Sequence, residues 1–241
     1  VGLGHRRLSI IDLSNDGHQP MHLGSIGLCI IFNGEIYNYK EIREEIIAKG
    51  FPFKSETDTE VIVLAYYIWG IDCVKKFNGM FSFAIFDEQN NKLTLARDRA
   101  GEKPLFYYFD GTELHFSSEL KSLMSHPDLP KKIDRDAFDC YLAMGYVPKD
   151  RCMLENYNKL PAGHIIQFDL SSSELVISRY WMLPEYEDIG ASENELIREL
   201  EVLLDDSVNR QLVADVPVGI LLSGGVDSSI LTAIAAKKTS N

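Results

Sequence analysis

The sequence is short of positive charge. Its 241 residues hold 24 Lys and Arg against 36 Asp and Glu, a formal net charge of -12. A sequence-blind nucleic-acid binder needs a basic face, so the charge argues against that class, although it leaves room for a local basic pocket. Long apolar runs are missing too, and none approaches the length of a membrane span. Cysteine is scarce. Cys29, Cys73, Cys140 and Cys152 are the only four, with no C-x-x-C spacing and no paired histidine pattern. A metal site built on them is not expected, and a reduced, cytoplasmic protein fits this usage. The opening VGLGHRRLSIID lacks an initiator methionine and an apolar h-region. It reads as mid-domain sequence, so the chain is expected to be an internal fragment.

What remains is an ordinary globular composition, 45% hydrophobic and 25% charged, long enough for one large domain or one domain plus part of another. Strand signals dominate the first three quarters. The apolar run Leu28 to Phe32 is expected to end at a turn formed by Asn33 and Gly34. YKEIREEIIAKG reads as a helix with Ile42, Ile46 and Ile47 on one face and Gly50 ending it. Thr57 to Glu60 is a capping box that opens a second helix. Three hairpins follow: MFSFAIF with KLTLARD, LFYYF with ELHFSS around Asp110-Gly111, and AGHIIQFDL with ELVISRYW. IDRDAFDCYLAMG is a further helix. Antiparallel hairpins with a few helices indicate an α+β sandwich.

Character changes near Trp181. MLPEYEDIGAS is acidic, carries Pro184 and Gly190, and reads as a linker. Ser192-x-x-Glu195 opens a long helix to about Ala214, with Leu196, Leu200, Leu203 and Leu204 as its apolar face. VPVGI then reads as a buried strand, LLSGGVDSS as a glycine-rich turn and LTAIAAKK as a helix. The domain boundary falls near residue 185, giving domains at 1–184 and 185–241. About 50 residues cannot close the core of a nucleotide-binding domain, so the second is expected to be truncated.

Strand, glycine-rich loop and helix together form an anion cradle. Ser223, Gly224, Gly225, Asp227, Ser228 and Ser229 bring two glycines and three hydroxyls to a helix N-terminus. No lysine follows Gly225, so the Walker pattern is absent. A pyrophosphate held by many hydrogen bonds fits; the plainer alternative is a serine-rich helix cap.

SGGVDSS resembles the PP-loop of ATP pyrophosphatases. With its neighbours, VPVGILLSGGVDSSI is similar to the start of the synthetase domain of glutamine-dependent asparagine synthetases. GHRRLSIIDLS, GHQPM, FNGEIYN, DTEVI and RDRAGEKPLFYY resemble the glutaminase domain of that family, a class II amidotransferase with the N-terminal-nucleophile fold. The resemblance runs through essentially the whole chain in order. It implies that Arg7 grips the α-carboxylate of glutamine, with Leu8, Ser9, Ile10 and Ile11 lining the same pocket. It implies that Asn33 and Gly34 form the oxyanion hole and that Glu35 and Asp58 hold the α-ammonium. It implies that Leu221 contacts ATP and that Ser223 to Ser229 cradle the pyrophosphate. Several of these residues have a plainer alternative. Arg7 alone would be a surface ion pair, Asn33-Gly34 a hairpin turn, and Asp58 a first-turn acid serving the helix dipole.

The family's nucleophile is an N-terminal cysteine whose own α-amine acts as base. None of the four cysteines here can take that part, so this chain alone is expected to be inactive. The resemblance implies hydrolysis of glutamine to ammonia, then ATP-dependent amidation of aspartate through a β-aspartyl-adenylate. ATP and Mg2+ are the implied cofactors, with Asp227 the one candidate for the metal. It also admits a homodimer. Two other readings stay open: the same chemistry on another carboxylate, such as a sugar acid or a peptide, and a non-catalytic glutaminase-like scaffold.

Overall fold

The computed structural model describes residues 1–148, 150–187 and 189–238. It divides into two compact units. The first joins Val1–Arg7 to Asp16–Met182, and the second joins Leu8–Asn15 to Leu183–Asn241.

The first unit is built on two antiparallel sheets. The larger runs in the order β1 (Met21–Leu23), β2 (Leu28–Ile36), β3 (Gly79–Asp87), β4 (Lys92–Arg97), β8 (His164–Asp169), β9 (Glu174–Arg179). The smaller places β5 (Phe106–Phe109) between β6 (Leu114–Ser117) and β7 (Tyr157–Lys159). Side chains alternate across a strand, so each face has its own set. Ala84, Leu93, Leu95, Ile166 and Phe168 share one face of the larger sheet, and Tyr107, Phe109, Leu114 and Phe116 of the smaller sheet pack against it. The two sheets therefore meet face to face, the α+β sandwich expected from the hairpins. On the opposite face Ile30, Phe32, Phe83 and Ile85 are buried, and α2 (Asp58–Trp69) packs on β2 and on α1 (Tyr39–Ala48). Two short helices, α3 (Leu120–Met124) and α4 (Arg135–Met144), complete this unit.

Local chemistry explains the helix ends. Gly50 stops α1 at φ +90° and donates its N–H to the Ile47 carbonyl at 2.8 Å. The Asp134 side chain caps α4 by accepting from Ala137 N–H at 3.0 Å, and Gly145 ends it in the left-handed region. The Thr57 hydroxyl caps α2 by accepting from Glu60 N–H at 3.2 Å. The reciprocal arm of that box is replaced. Glu60 turns instead to the Lys54 and Ser55 N–H groups, at 2.9 and 2.7 Å. Being buried, that carboxylate takes the richest donors within reach.

Four expectations need correction. Asn33 and Gly34 do not turn the chain. They lie inside β2, paired with Ser82 and Phe81 of β3, because Gly34 is needed for a close backbone approach. Ile47 is half out in solvent while Ile42 and Ile46 are buried; the helix turns it off the packed face. In the second unit, VPVGI is not a buried strand. Val218 and Ile220 are exposed, since no strand among the described residues lies alongside to satisfy their backbone groups. The apolar stripe of α5 (Glu193–Gln211) is likewise uncovered: Leu196, Leu200 and Leu203 are all exposed. The capping box that starts this helix is present. Ser192 donates its N–H to the Glu195 carboxylate at 2.8 Å. The loop from Leu221 leads into the last helix, α6 (Val226–Lys238).

Candidate functional site

Side chains of Ile31, Asn33 and Glu35 point to the face that meets the smaller sheet, because Ile31 packs there and the others follow at period two. Gly34 between them has φ +152°, and a Cβ there would run into the Met80 carbonyl oxygen. Only glycine lets β2 and β3 approach this closely. The Asn33 amide donates through Nδ2 to the Ser118 hydroxyl at 3.3 Å.

Glu35 and Asp58 lie close enough to repel one another. Burial raises Glu35 to about 7, with Asp58 adding to the rise and Lys103 opposing it. Asp58 is buried at the first position of α2, and burial raises it to about 6. Its carboxylate accepts from Ile36 N–H at 3.0 Å, and the positive charge of Arg7 partly offsets the rise. Arg7 also lies against Gly17, where a Cβ would meet the guanidinium. Beside it, His5 is pushed down by burial, with Arg7 and His18 acting the same way. Gln19 ties β2 to α2. Its Oε1 accepts from Phe32 N–H of β2 at 2.6 Å, and its Nε2 donates to Thr59 of α2 at 3.2 Å. The result is one cation and two strained carboxylates on a rigid frame. That set matches the carboxylate and ammonium of an amino acid.

The first unit thus brings Arg7, Asn33, Gly34, Glu35 and Asp58 together on β2, α2 and the leading segment. Leu8, Ser9, Ile10 and Ile11 belong to the second unit, where the Ile10 carbonyl accepts from Asp215 N–H at 3.0 Å. The residues alone did not point to the 98–105 loop as a neighbour of Glu35. Asp98 is fully buried and organises it, accepting from Ala100, Glu102 and Lys103 N–H groups at 3.1, 2.9 and 2.9 Å, and from Phe81 N–H at 3.2 Å. Arg97 closes the knot by donating to the Lys103, Leu160 and Gly101 carbonyls at 2.7, 2.6 and 2.6 Å. The only trace in the sequence was the RDRAGEKPL string, whose length carries no hint of Glu35.

In the second unit, Gly224 takes φ +83° and Leu221 is almost wholly exposed. Ser223 and Ser228 share a hydrogen bond at 3.0 Å, and the Ser228 and Ser229 hydroxyls both reach the Gly225 carbonyl, at 3.1 and 2.7 Å. Three hydroxyls thus cluster where the first-turn N–H groups of α6 lack intrahelical acceptors. Those N–H groups at a helix start make an anion-binding geometry. Among the described residues no group of three or more His, Cys, Asp or Glu could hold a metal.

Residues 1–181 match the family described as glutamine amidotransferase domain. The chain belongs to the glutamine amidotransferase family. Residues 199–241 match a second family, asparagine synthase. A Methanocaldococcus jannaschii protein provisionally named glutamine-hydrolysing asparagine synthetase 2 is 42% identical over 99% of this chain and 49% of its own length. Glutamine-hydrolysing asparagine synthetase 3 of Bacillus subtilis is 40% identical over 98% of this chain and 38% of its own. The amidotransferase chain thus spans about half or less of the relatives it matches. Glutamine phosphoribosylpyrophosphate amidotransferase of Bacillus subtilis superposes with a TM-score of 0.50 at 14% identity, over 97% of this chain and 49% of its own. That likeness is one of fold. Three of this amidotransferase chain's cysteines are poor nucleophiles by their surroundings. Cys29, Cys73 and Cys152 are buried, and burial pushes each thiol up, Cys152 to about 11. Cys140 lies half-buried on α4.

Proposed function

We propose that the full-length protein carrying this chain is a glutamine-dependent asparagine synthetase. The carrying observation is the opposed charge set of Arg7 with Glu35 and Asp58, beside Asn33 and Gly34 on one strand. In this reading Arg7 pairs with the α-carboxylate of glutamine, and Glu35 and Asp58 hold its α-ammonium. Bound there, an ammonium relieves the repulsion between the two acids and lowers both pKa values. The side-chain amide then extends toward the Asn33 amide and the Gly34 N–H. These donors stabilise the oxyanion as the carbonyl is attacked. The attacking group is none of the four cysteines in this sequence.

The released ammonia amidates aspartate in a second reaction. The Ser223–Ser229 loop takes the pyrophosphate end of ATP, and the aspartate carboxylate is activated as an adenylate. Mg2+ supplies charge neutralisation on the phosphates. We place the domain boundary near residue 185. Cytoplasmic location belongs to the same reading; no helix among the described residues is long and apolar enough to cross a membrane.

The test uses the full-length protein with glutamine, ATP, Mg2+ and aspartate. Expected products are glutamate, asparagine, AMP and pyrophosphate in equal amounts. Glutamate and AMP formed only with a competing carboxylate, such as a sugar acid, would move the acceptor away from aspartate. No glutamate under any condition would reduce the first unit to a scaffold.

A further inference from the structure

Among the described residues, the Asn33 side chain makes one hydrogen bond, to Ser118. The two residues come from different sheets. Asn33 lies within β2 of the larger sheet, and Ser118 follows directly on β6 of the smaller. We infer that Ser118 is the positioning residue of the oxyanion hole: its hydroxyl fixes the Asn33 amide so that one N–H is spent on Ser118 and the other is aimed at the reacting carbonyl. This inference rests on the amidotransferase reading of Asn33 and deepens it.

Three features support it. First, a side-chain amide has two N–H donors and a rotatable terminal torsion, which is broad and poorly held by sterics alone. An oxyanion donor must be oriented before the charge appears, since reorienting it during the reaction forfeits much of its value. Asn33 therefore needs a fixed acceptor on one side. Second, that acceptor is neutral. A carboxylate in the same place would orient the amide equally well but repel the developing oxyanion. A carboxylate is in fact the very next residue, Glu119, and it is diverted to Lys121 at 2.5 Å. Third, Ser118 is itself held. Ser117 pairs with Phe106 of β5, and the Ser117 hydroxyl accepts from Glu119 N–H at 3.2 Å. Leu114 and Phe116 of the same strand pack into the core between the sheets. The hydroxyl is thus delivered by a packed hairpin and not by a free loop.

The experiment compares Ser118→Ala, Ser118→Thr, Asn33→Ala and the double variant in the full-length protein. Readouts are kcat and KM for glutamine hydrolysis, and the ATP-dependent amidation driven by free ammonia, which bypasses the hole. Ser118→Ala is expected to lower kcat for glutamine by roughly tenfold, a fraction of the ~100-fold or more for loss of an oxyanion donor. KM should stay within about twofold, because the clamp is untouched. Ser118→Thr, which keeps the hydroxyl, should restore most of the rate. In the Asn33→Ala background, Ser118→Ala should have no further effect, the mark of two residues acting as one unit. Ammonia-driven amidation should be unchanged. A wild-type kcat in Ser118→Ala overturns the inference, as does an equal loss in the Asn33→Ala background. A parallel loss of ammonia-driven amidation overturns it by making the residue merely structural. A wild-type protein that releases no ammonia from glutamine removes the amidotransferase reading and this inference with it.

Discussion

Gly34 of β2 stands so close to Met80 of β3 that a Cβ on residue 34 would collide with the Met80 carbonyl oxygen. Gly79 meets the Glu35 carbonyl in the same way from the other strand. Gly34→Ala must therefore push β2 and β3 apart at the proposed oxyanion hole, and it also strains a φ of +152°. The expected cost is roughly 1–3 kcal/mol for the backbone conformation alone. A lower urea midpoint and a kcat for glutamine reduced at least ~100-fold are expected together. Wild-type activity in a destabilised variant would remove Gly34 from the site.

Glu35 and Asp58 should make stability and glutamine binding run opposite ways with pH. Both acids are raised, to about 7 and about 6. The folded state thus holds their protons more tightly than the unfolded chain. Their contribution to stability is complete below about pH 4, their ordinary range, and is lost as pH rises through 6 and 7. Glutamine needs both ionised, so its KM should fall over the same interval. Glu35→Gln should flatten the fall near pH 7 and raise KM at every pH. Melting temperature and KM measured from pH 5 to 8 check both signs, and a KM independent of pH would remove Glu35 from the ammonium subsite.

Asp98 should be among the costliest polar residues to change. Each of its oxygens accepts two backbone N–H groups: Oδ1 from Ala100 and Glu102, Oδ2 from Phe81 and Lys103. Asp98→Asn turns one oxygen into a donor facing two donors. A loss of about 2–4 kcal/mol is expected from the unsatisfied groups. The loop also carries Lys103 near Glu35, so KM for glutamine should rise beyond what instability explains. Denaturant titration beside kinetics at low temperature separates the two effects.

Gly224→Ala should act on the other reaction. Its φ of +83° is unfavourable for any side chain, and the cradle depends on that turn. Pyrophosphate release with ATP and aspartate should fall at least ~10-fold, while glutamine hydrolysis without ATP stays within about twofold. Equal loss of both activities would mean that this loop serves stability and not the nucleotide.

Much of the first unit was legible because its signals are local. The three hairpins, the Gly50 helix end and the Thr57 cap are written in adjacent residues. β1 and β7 leave no such signal, because three residues are too few to show alternation. Asn33-Gly34 misleads for the opposite reason. It carries the strongest short hairpin signal there is, yet its glycine answers to a strand some fifty residues away. The clamp was nameable by resemblance, but the pairing of Glu35 with Asp58 and the arrival of Lys103 depend on register and burial. The uncovered VPVGI segment shows the same limit from the other side. Apolar composition alone makes no strand without neighbours to bond.

The two pinch points, Gly34 on the Met80 carbonyl and Gly79 on the Glu35 carbonyl, act on assembly as well as on chemistry. A slip of one residue between β2 and β3 would bring a side-chain-bearing residue, Asn33 or Glu35, to a gap that admits no Cβ. It would also turn Asn33 and Glu35 together away from the face that meets the smaller sheet. Misaligned pairings are therefore rejected by collision before the core can close over them. The same two glycines that admit this register thereby fix which face of the sheet Asn33 and Glu35 present.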